Sequence, residues 1–148
     1  MSQVALLDVN VLVALFDPDH VHHDLAHDWF ADQRSHGWAT CPITENGLVR
    51  VLSNPAYGAT VEQPAYVVRR LTAFCGSGGH EFWEDSLSFR DRAIFAAALP
   101  VTSRHLTDAY LLGLARVHDG MLATFDRGIP VDAVVGARRG RHLALIAP

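Results

Sequence analysis

The sequence predicts an α/β fold with a mainly parallel central sheet, and two observations carry that expectation. Short, continuously apolar runs alternate along the chain with longer segments whose apolar residues recur at helical spacing, the pattern of strands joined by crossover helices. The apolar runs also lack the in-out alternation of strands with one wet face, as expected of strands covered by helices on both sides. The chain has 148 residues, the size of one domain. It shows no internal repeat, low-complexity segment or linker, so residues 1–148 are read as a single domain.

In chain order, residues 4–7 form an apolar run that ends at Asp8 and reads as a central strand. The next segment reads as helix. Beyond Asp17-Pro18-Asp19, Val21, Leu25, Trp29 and Phe30 recur at near-helical spacing to about Gln33, and Gly37 closes the segment. A short strand is expected over residues 38–41. Pro42 then opens a helix carrying Ile43, Leu48, Val51 and Leu52, which Asn54-Pro55 stops. Thr60 with Gln63 forms a capping-box pattern ahead of a helix with the stripe Val67, Val68, Leu71, Phe74 and Cys75, leaving Arg69 and Arg70 facing outward. Gly76-Ser77-Gly78-Gly79 breaks that helix, and residues 81–83 read as a short strand. A further helix is expected over residues 90–99, ended by Pro100. Thr107 reads as the cap of a strongly apolar helix that runs to about Val117 and stops at Gly120. Residues 121–124 and 143–146 complete the strands.

Hydrophobic residues make up 49% of the chain and charged residues 19%, which is enough apolar surface for a packed core and too little charge for a disordered tail. The apolar opening is too short to span a bilayer and is interrupted by Asp8 and Asn10, so no membrane association is expected. Cys41 and Cys75 are the only cysteines and stand at no zinc-like spacing. With no charged leader at the N-terminus, a reduced, cytoplasmic setting is expected. The twelve basic residues are all arginine. Without lysine, P-loop, Schiff-base and phosphoaspartate chemistries are excluded. Sixteen acids against twelve arginines give a net charge of −4, which at first sight argues against a nucleic-acid partner.

In parallel sheets, ligands bind beyond the carboxyl ends of the strands, where the strand order reverses. Four acids fall at such places. Asp8 ends the first strand, Glu45 opens the helix after the second, Asp108 stands at the N-terminus of the apolar helix, and Asp126 follows the strand ending at Thr124. Taken singly, Asp108 also reads as a helix-dipole partner and Asp126-Arg127-Gly128 as a turn. Asp8 is harder to dismiss, because an acid at the end of a buried strand must find a cation or hydrogen-bond donors. Four converging carboxylates repel one another unless some are protonated or a cation sits among them, and an all-oxygen set suits Mg²⁺ or Mn²⁺. Ions of that kind serve phosphate-ester hydrolysis.

The motifs Leu6-Leu7-Asp8-Val9-Asn10, Pro42-Ile43-Thr44-Glu45 with Arg50-Val51-Leu52 and Asn54-Pro55, Leu106-Thr107-Asp108-Ala109, and Leu122-Ala123-Thr124-Phe125-Asp126-Arg127 together resemble a PIN domain. More narrowly, they resemble the VapC ribonuclease toxins of bacterial toxin–antitoxin modules, in the group common in mycobacteria. The resemblance runs from Leu6 to the end of the chain, with the four acids in family order. It implies a three-layer α/β/α sandwich and a Mg²⁺- or Mn²⁺-dependent endoribonuclease in which metal-activated water leaves a 3′-hydroxyl and a 5′-phosphate. Asp8 and Asp108 look like the principal metal ligands, with Glu45 and Asp126 completing the site directly or through water. Asn10, Thr107 and Thr124 would orient those carboxylates. The resemblance further implies a homodimer and a cognate VapB-like antitoxin whose C-terminal segment lies over a groove leading to the acids. The rival readings are a PIN nuclease of RNA maturation or DNA processing, and a PIN scaffold that binds RNA or protein without cutting; the four intact acids count against the scaffold.

Other signals are weaker. On a helix, His20, His23 and His27 fall within about 60° of one another and either chelate a soft divalent ion or form a solvated face with His22. Arg138-Arg139-Gly140-Arg141 is the densest basic patch, read either as an RNA-phosphate contact or as a solvated turn. Trp83 and Tyr57 are expected in the core or at an interface.

Overall fold

The computed structural model describes residues 3–58 and 61–148; Thr60, one half of the expected capping box, lies outside the described residues. Five strands, β1 (Ala5–Leu7), β2 (Trp38–Thr40), β3 (His80–Phe82), β4 (Met121–Thr124) and β5 (Leu143–Leu145), form one sheet in the order β3-β2-β1-β4-β5. Every neighbouring pair is parallel, so the sheet is parallel throughout. The helices are α1 (Val9–Phe16), α2 (His23–Gln33), α3 (Pro42–Leu52), α4 (Pro64–Cys75), α5 (Leu106–Val117) and the single turn α6 (Arg139–His142).

Side-chain alternation along the strands divides the core into two. Ala5, Leu7 and Trp38 pack with α1 to α4 on one face, whereas Leu6, Ala39 and Leu122 pack with α5 on the other. The result is the expected three-layer sandwich, and it explains the unbroken apolar runs of the inner strands: β1, β2 and nearly all of β4 are buried on both faces, whereas the edge strands β3 and β5 are partly exposed. The first face is closed by an aromatic group in which Trp38 lies 4.5 Å from Phe74 and 5.4 Å from Phe30, ring centre to ring centre. From the central strand β1 the chain moves outward to β2 and later returns to β4 on the other side, so the strand order reverses between β1 and β4. That is where a parallel sheet opens a crevice.

Several local expectations are corrected. Residues 90–99 do not form a helix. Asp91 starts a short turn, with its side chain accepting from the Ala93 N–H at 2.9 Å, and residues 94–96 then pair antiparallel with residues 133–135 through Ala96 N–H to Ala133 O and Val135 N–H to Ile94 O. Backbone groups a helix would use are taken by this pairing, which seats Phe95 in the core at 1% exposure. Helix α5 starts at Leu106 from a 3₁₀ turn, with His105 rather than Thr107 at the cap position. Helix α2 starts only at His23, which leaves Val21 86% exposed and off the buried stripe. On α4, Val68 is exposed, while Arg70 turns inward to Glu62, 2.9 Å away, and to the Phe16 carbonyl. Cys41 and Cys75 are both free. Among the described residues no helix is long and apolar enough to cross a membrane.

Candidate functional site

Asp8 is the last residue before α1 and serves as its N-cap, its carboxylate accepting from the Val9 N–H at 2.7 Å. The position is dictated by topology: β1 is central and buried, so the residue that ends it emerges at the crevice still largely enclosed. Only 7% of Asp8 is exposed. Burial pushes its carboxyl up to about 6, with Asp108 and Asp126 adding repulsion, against the opposing bonds from Thr124 and Val9.

Asp108, in the first turn of α5, is brought to the same place from the other side of the sheet. It too is raised above the ordinary carboxylate range, chiefly by burial and secondarily by Asp126, while His105 pulls the other way. His105 Nδ1 lies 3.1 Å from Asp108 Oδ2 and 4.0 Å from Asp126 Oδ2, so its Nδ1–H donates to the carboxylate. Asp126 follows β4 and accepts from the Gly128 N–H at 2.7 Å, which fixes its turn.

Thr124 joins these parts. Its hydroxyl donates to Asp8 Oδ2 at 2.7 Å and accepts from the Asp126 N–H at 3.1 Å and from Asn10 Nδ2 at 3.3 Å. One fully buried hydroxyl at the end of β4 therefore sets the orientation of Asp8, Asn10 and the Asp126 backbone. Asp8, Asn10, Asp108 and Asp126, with Val9, Val13, Val51 and His20, line an open cleft of about 380 Å³.

The donors present fit a hard divalent cation. All three carboxylates offer oxygen, two of them are raised by burial and mutual repulsion, and Asn10 Oδ1 is buried with no hydrogen-bond partner among the described residues. A cation held by these carboxylates would offset the repulsion that helps to raise Asp8 and Asp108. Among the described residues, His105 offers a ring nitrogen beside Asp108 and Asp126, and the sequence alone does not single it out. Its only signal was its position three residues before Asp108, one helical turn away.

The remaining predicted residues lie elsewhere. Glu45 does not line the cleft; its carboxylate accepts from the Thr40 hydroxyl at 2.6 Å, in a group with His80 and Cys75. Thr107 is exposed and makes no side-chain hydrogen bond to a carboxylate among the described residues. Arg138, Arg139 and Arg141 precede β5 and so sit at the amino end of a parallel sheet, opposite the cleft. There Arg141 pairs with Asp119 at 2.7 Å and Arg139 donates to the Ile129 carbonyl at 3.1 Å. The histidines do not form a chelating face either: His23 Nδ1 and His27 Nε2 lie 2.7 and 3.1 Å from the Ala14 and Leu15 carbonyls at the end of α1, while His20 stacks on Phe125 beside the cleft.

A parallel sheet between two helical layers with three acids gathered at its switch point defines a class, and the family model of the PIN domain matches residues 5–133. The chain belongs to the PIN-domain family. Within it, the chain is similar to proteins of Mycobacterium tuberculosis named VapC. It is 44% identical to Ribonuclease VapC44 over 96% of this chain and 99% of that protein. It is 41% identical to Ribonuclease VapC39 over 89% and 95%, and 44% identical to Ribonuclease VapC38 over 85% and 87%. These matches place it among the VapC proteins.

Proposed function

We propose that this chain is the toxin component of a VapBC-type toxin–antitoxin module and acts as an endoribonuclease. The single observation that carries the reading is the convergence of Asp8, Asp108 and Asp126 on one cleft at the switch point of the sheet, which Asn10 also lines. The relatives' names and near full-length similarity support RNA as the substrate class, and membership of the VapC group implies a VapB-like antitoxin as the partner. We assign Asp8, Asp108 and Asp126 as ligands of Mg²⁺ or Mn²⁺. Such an ion supplies neutralisation of the charge that builds on the phosphate and a lowered pKa for the attacking water.

The chain's own residues do the rest. Thr124 holds Asp8 through a buried hydrogen bond, so its carboxylate needs no reorganisation when RNA arrives. His105 holds Asp108 in the same way from the start of α5. Val9, Val13 and Val51 wall the cleft with apolar surface, which lowers the local dielectric and strengthens every charge interaction within it. Glu45 joins this set only by giving up its hydrogen bond from Thr40. A homodimer and a cytoplasmic setting belong to the same proposal.

The test is cleavage of RNA by purified protein with Mg²⁺ or Mn²⁺. Asp8→Asn and Asp108→Asn each lower the rate by about 100-fold or more, the size of effect expected when a group acting on transition-state charge is lost. Variants that cut as fast as the parent protein overturn the assignment.

A further inference from the structure

The amino end of the sheet, opposite the acidic cleft, carries a cluster of arginines that the nuclease chemistry does not use. Topology gathers it from two places. Arg116 stands in the last turn of α5, just before β4, and Arg138, Arg139 and Arg141 just before β5. Since β4 and β5 are parallel neighbours, both segments meet at the same end. The buried His142 lies among them. Its Nδ1 accepts from the Arg138 N–H at 2.9 Å, and burial, together with the charges of Arg116, Arg141 and Arg138, holds its pKa below the ordinary histidine range against the pull of Asp119. Asp119 pairs with Arg141 at 2.7 Å, whereas Arg116 and Arg138 stand in no ion pair among the described residues. Arg116 is the informative member. It is half-buried, and its Nε is enclosed with no hydrogen-bond partner among the described residues. Its guanidinium lies against the backbone at Gly136, where an added Cβ would stand 3.1 Å from Nη2 and 3.2 Å from Nε. The φ of 77° at Gly136 favours glycine independently, so no side chain screens the guanidinium on that side. A half-buried, uncompensated cation is costly unless an anion meets it.

We propose that Arg116, Arg138 and Arg141 form a phosphate-binding exosite, which holds the backbone of a folded RNA at the amino end of the sheet while an unpaired segment of the same RNA reaches the cleft. Guanidinium forks engage phosphate oxygens bidentately. Three of them beside the single carboxylate of Asp119 leave a local excess of positive charge in a chain whose net charge is −4. The arginines come from two separate segments, a spread that suits successive phosphates of a backbone better than one small anion. A chain of this length is roughly 40 Å across. An RNA stem of about 16 base pairs covers that span, whereas a short strand lying in the cleft does not. That the anion is RNA rests on the nuclease reading; the cationic site stands without it.

Binding of a labelled stem-loop RNA to the full-length protein in EDTA, read by fluorescence anisotropy, tests this without cleavage. Arg138→Gln and Arg116→Gln are each expected to weaken binding by about tenfold and to lower the slope of log affinity against log salt by about one. Asp119→Asn is expected to tighten binding by about threefold, because it frees Arg141. Asp119 has a φ of 53°, which asparagine also adopts, so the fold is kept. A gain of affinity does not arise from misfolding, so Asp119→Asn and the exposed Arg138→Gln decide the matter should Arg116→Gln fail to fold. With Mn²⁺, Arg138→Gln raises KM for the stem-loop and leaves cleavage of a short unpaired oligonucleotide unchanged. Equal affinity of the parent, Arg138→Gln and Asp119→Asn overturns the proposal, and so does a polyglutamate peptide that binds the parent as tightly as the RNA. Inorganic pyrophosphate that binds the parent but not Arg116→Gln, while the stem-loop ignores that substitution, marks a small-anion site and overturns the RNA assignment. A parent protein that binds the stem-loop with the expected responses and yet cuts no RNA supports the exosite, so failure of the nuclease reading is seen separately.

Discussion

Asp8 shows how much of the site's chemistry one residue carries. Its carboxyl is pushed up to about 6 in the folded protein from an ordinary 3.8. Between those pH values the folded state holds more protons than the unfolded state. Asp8 therefore stabilises the metal-free fold fully below about pH 4, and that contribution is lost as the pH rises through about 6. A gap of about two units corresponds to roughly 3 kcal/mol. Asp17 and Asp119, held below the ordinary range by Tyr57 and Arg141 respectively, act in the opposite sense, so the difference between the parent protein and a variant isolates Asp8. In EDTA, Asp8→Asn is expected to be the more stable protein at pH 7 by urea denaturation, with its advantage shrinking between pH 6 and pH 4. A constant difference across that interval would mean that Asp8 does not titrate there. At this scale the placement of Asp8, Asp108 and Asp126 on one cleft was legible, because each sits at a strand end or helix start that topology sends to the crevice. The direction of the Glu45 side chain, set by its hydrogen bond from Thr40, was not legible, nor was His105, whose place depends on where Asp108 and Asp126 meet.

At the scale of elements, the strands and long helices were readable from apolar runs and their Pro, Gly and Asn boundaries. Residues 90–99 were not. Their local pattern favours a helix, but pairing of residues 94–96 with residues 133–135 outweighs it, and local propensity is a weak prior when tertiary contacts compete. The seat that decides the matter is Gly113 on α5, where an added Cβ would lie 2.7 Å from the Phe95 ring. Gly113→Ala gains about 1 kcal/mol of helix propensity and incurs about 1–3 kcal/mol of overpacking. The expected net is a destabilisation of about 1 kcal/mol in chemical denaturation. Combined with Phe95→Leu, it should cost less than the two single changes together, because the smaller side chain vacates the space. A Gly113→Ala protein more stable than its parent would place Phe95 somewhere else.

Over the whole molecule, what matters is where the charge lies rather than its sum. Taking Asp8, Asp108 and Asp126 out of the sixteen acids leaves thirteen against twelve arginines, so most of the excess of −4 sits in one cleft. The net acidity that seemed to exclude a nucleic acid is then chiefly the charge of a cation site. The densest arginine patch is no counterweight there, since a parallel sheet places Arg138 to Arg141 at the far end of β5, where Arg141 is already paired with Asp119. Above the pH at which Asp8 is protonated, a bound cation relieves the cleft, and that relief is measurable as stability. An ion that binds only the folded state adds about 2.7 kcal/mol at a hundred times its dissociation constant, worth roughly 5–10 °C for a chain of this size. Mg²⁺ is the informative choice because a hard cation takes oxygen ligands such as the carboxylates of this cleft. Saturating Mg²⁺ is expected to raise the melting temperature of the parent protein by that amount at constant ionic strength. In Asp8→Asn, which lacks a ligand and the repulsion to be relieved, most of the gain should vanish. Equal gains in both proteins would trace the effect to general screening of an acidic surface, and the cleft would lose its claim to be where the cation binds.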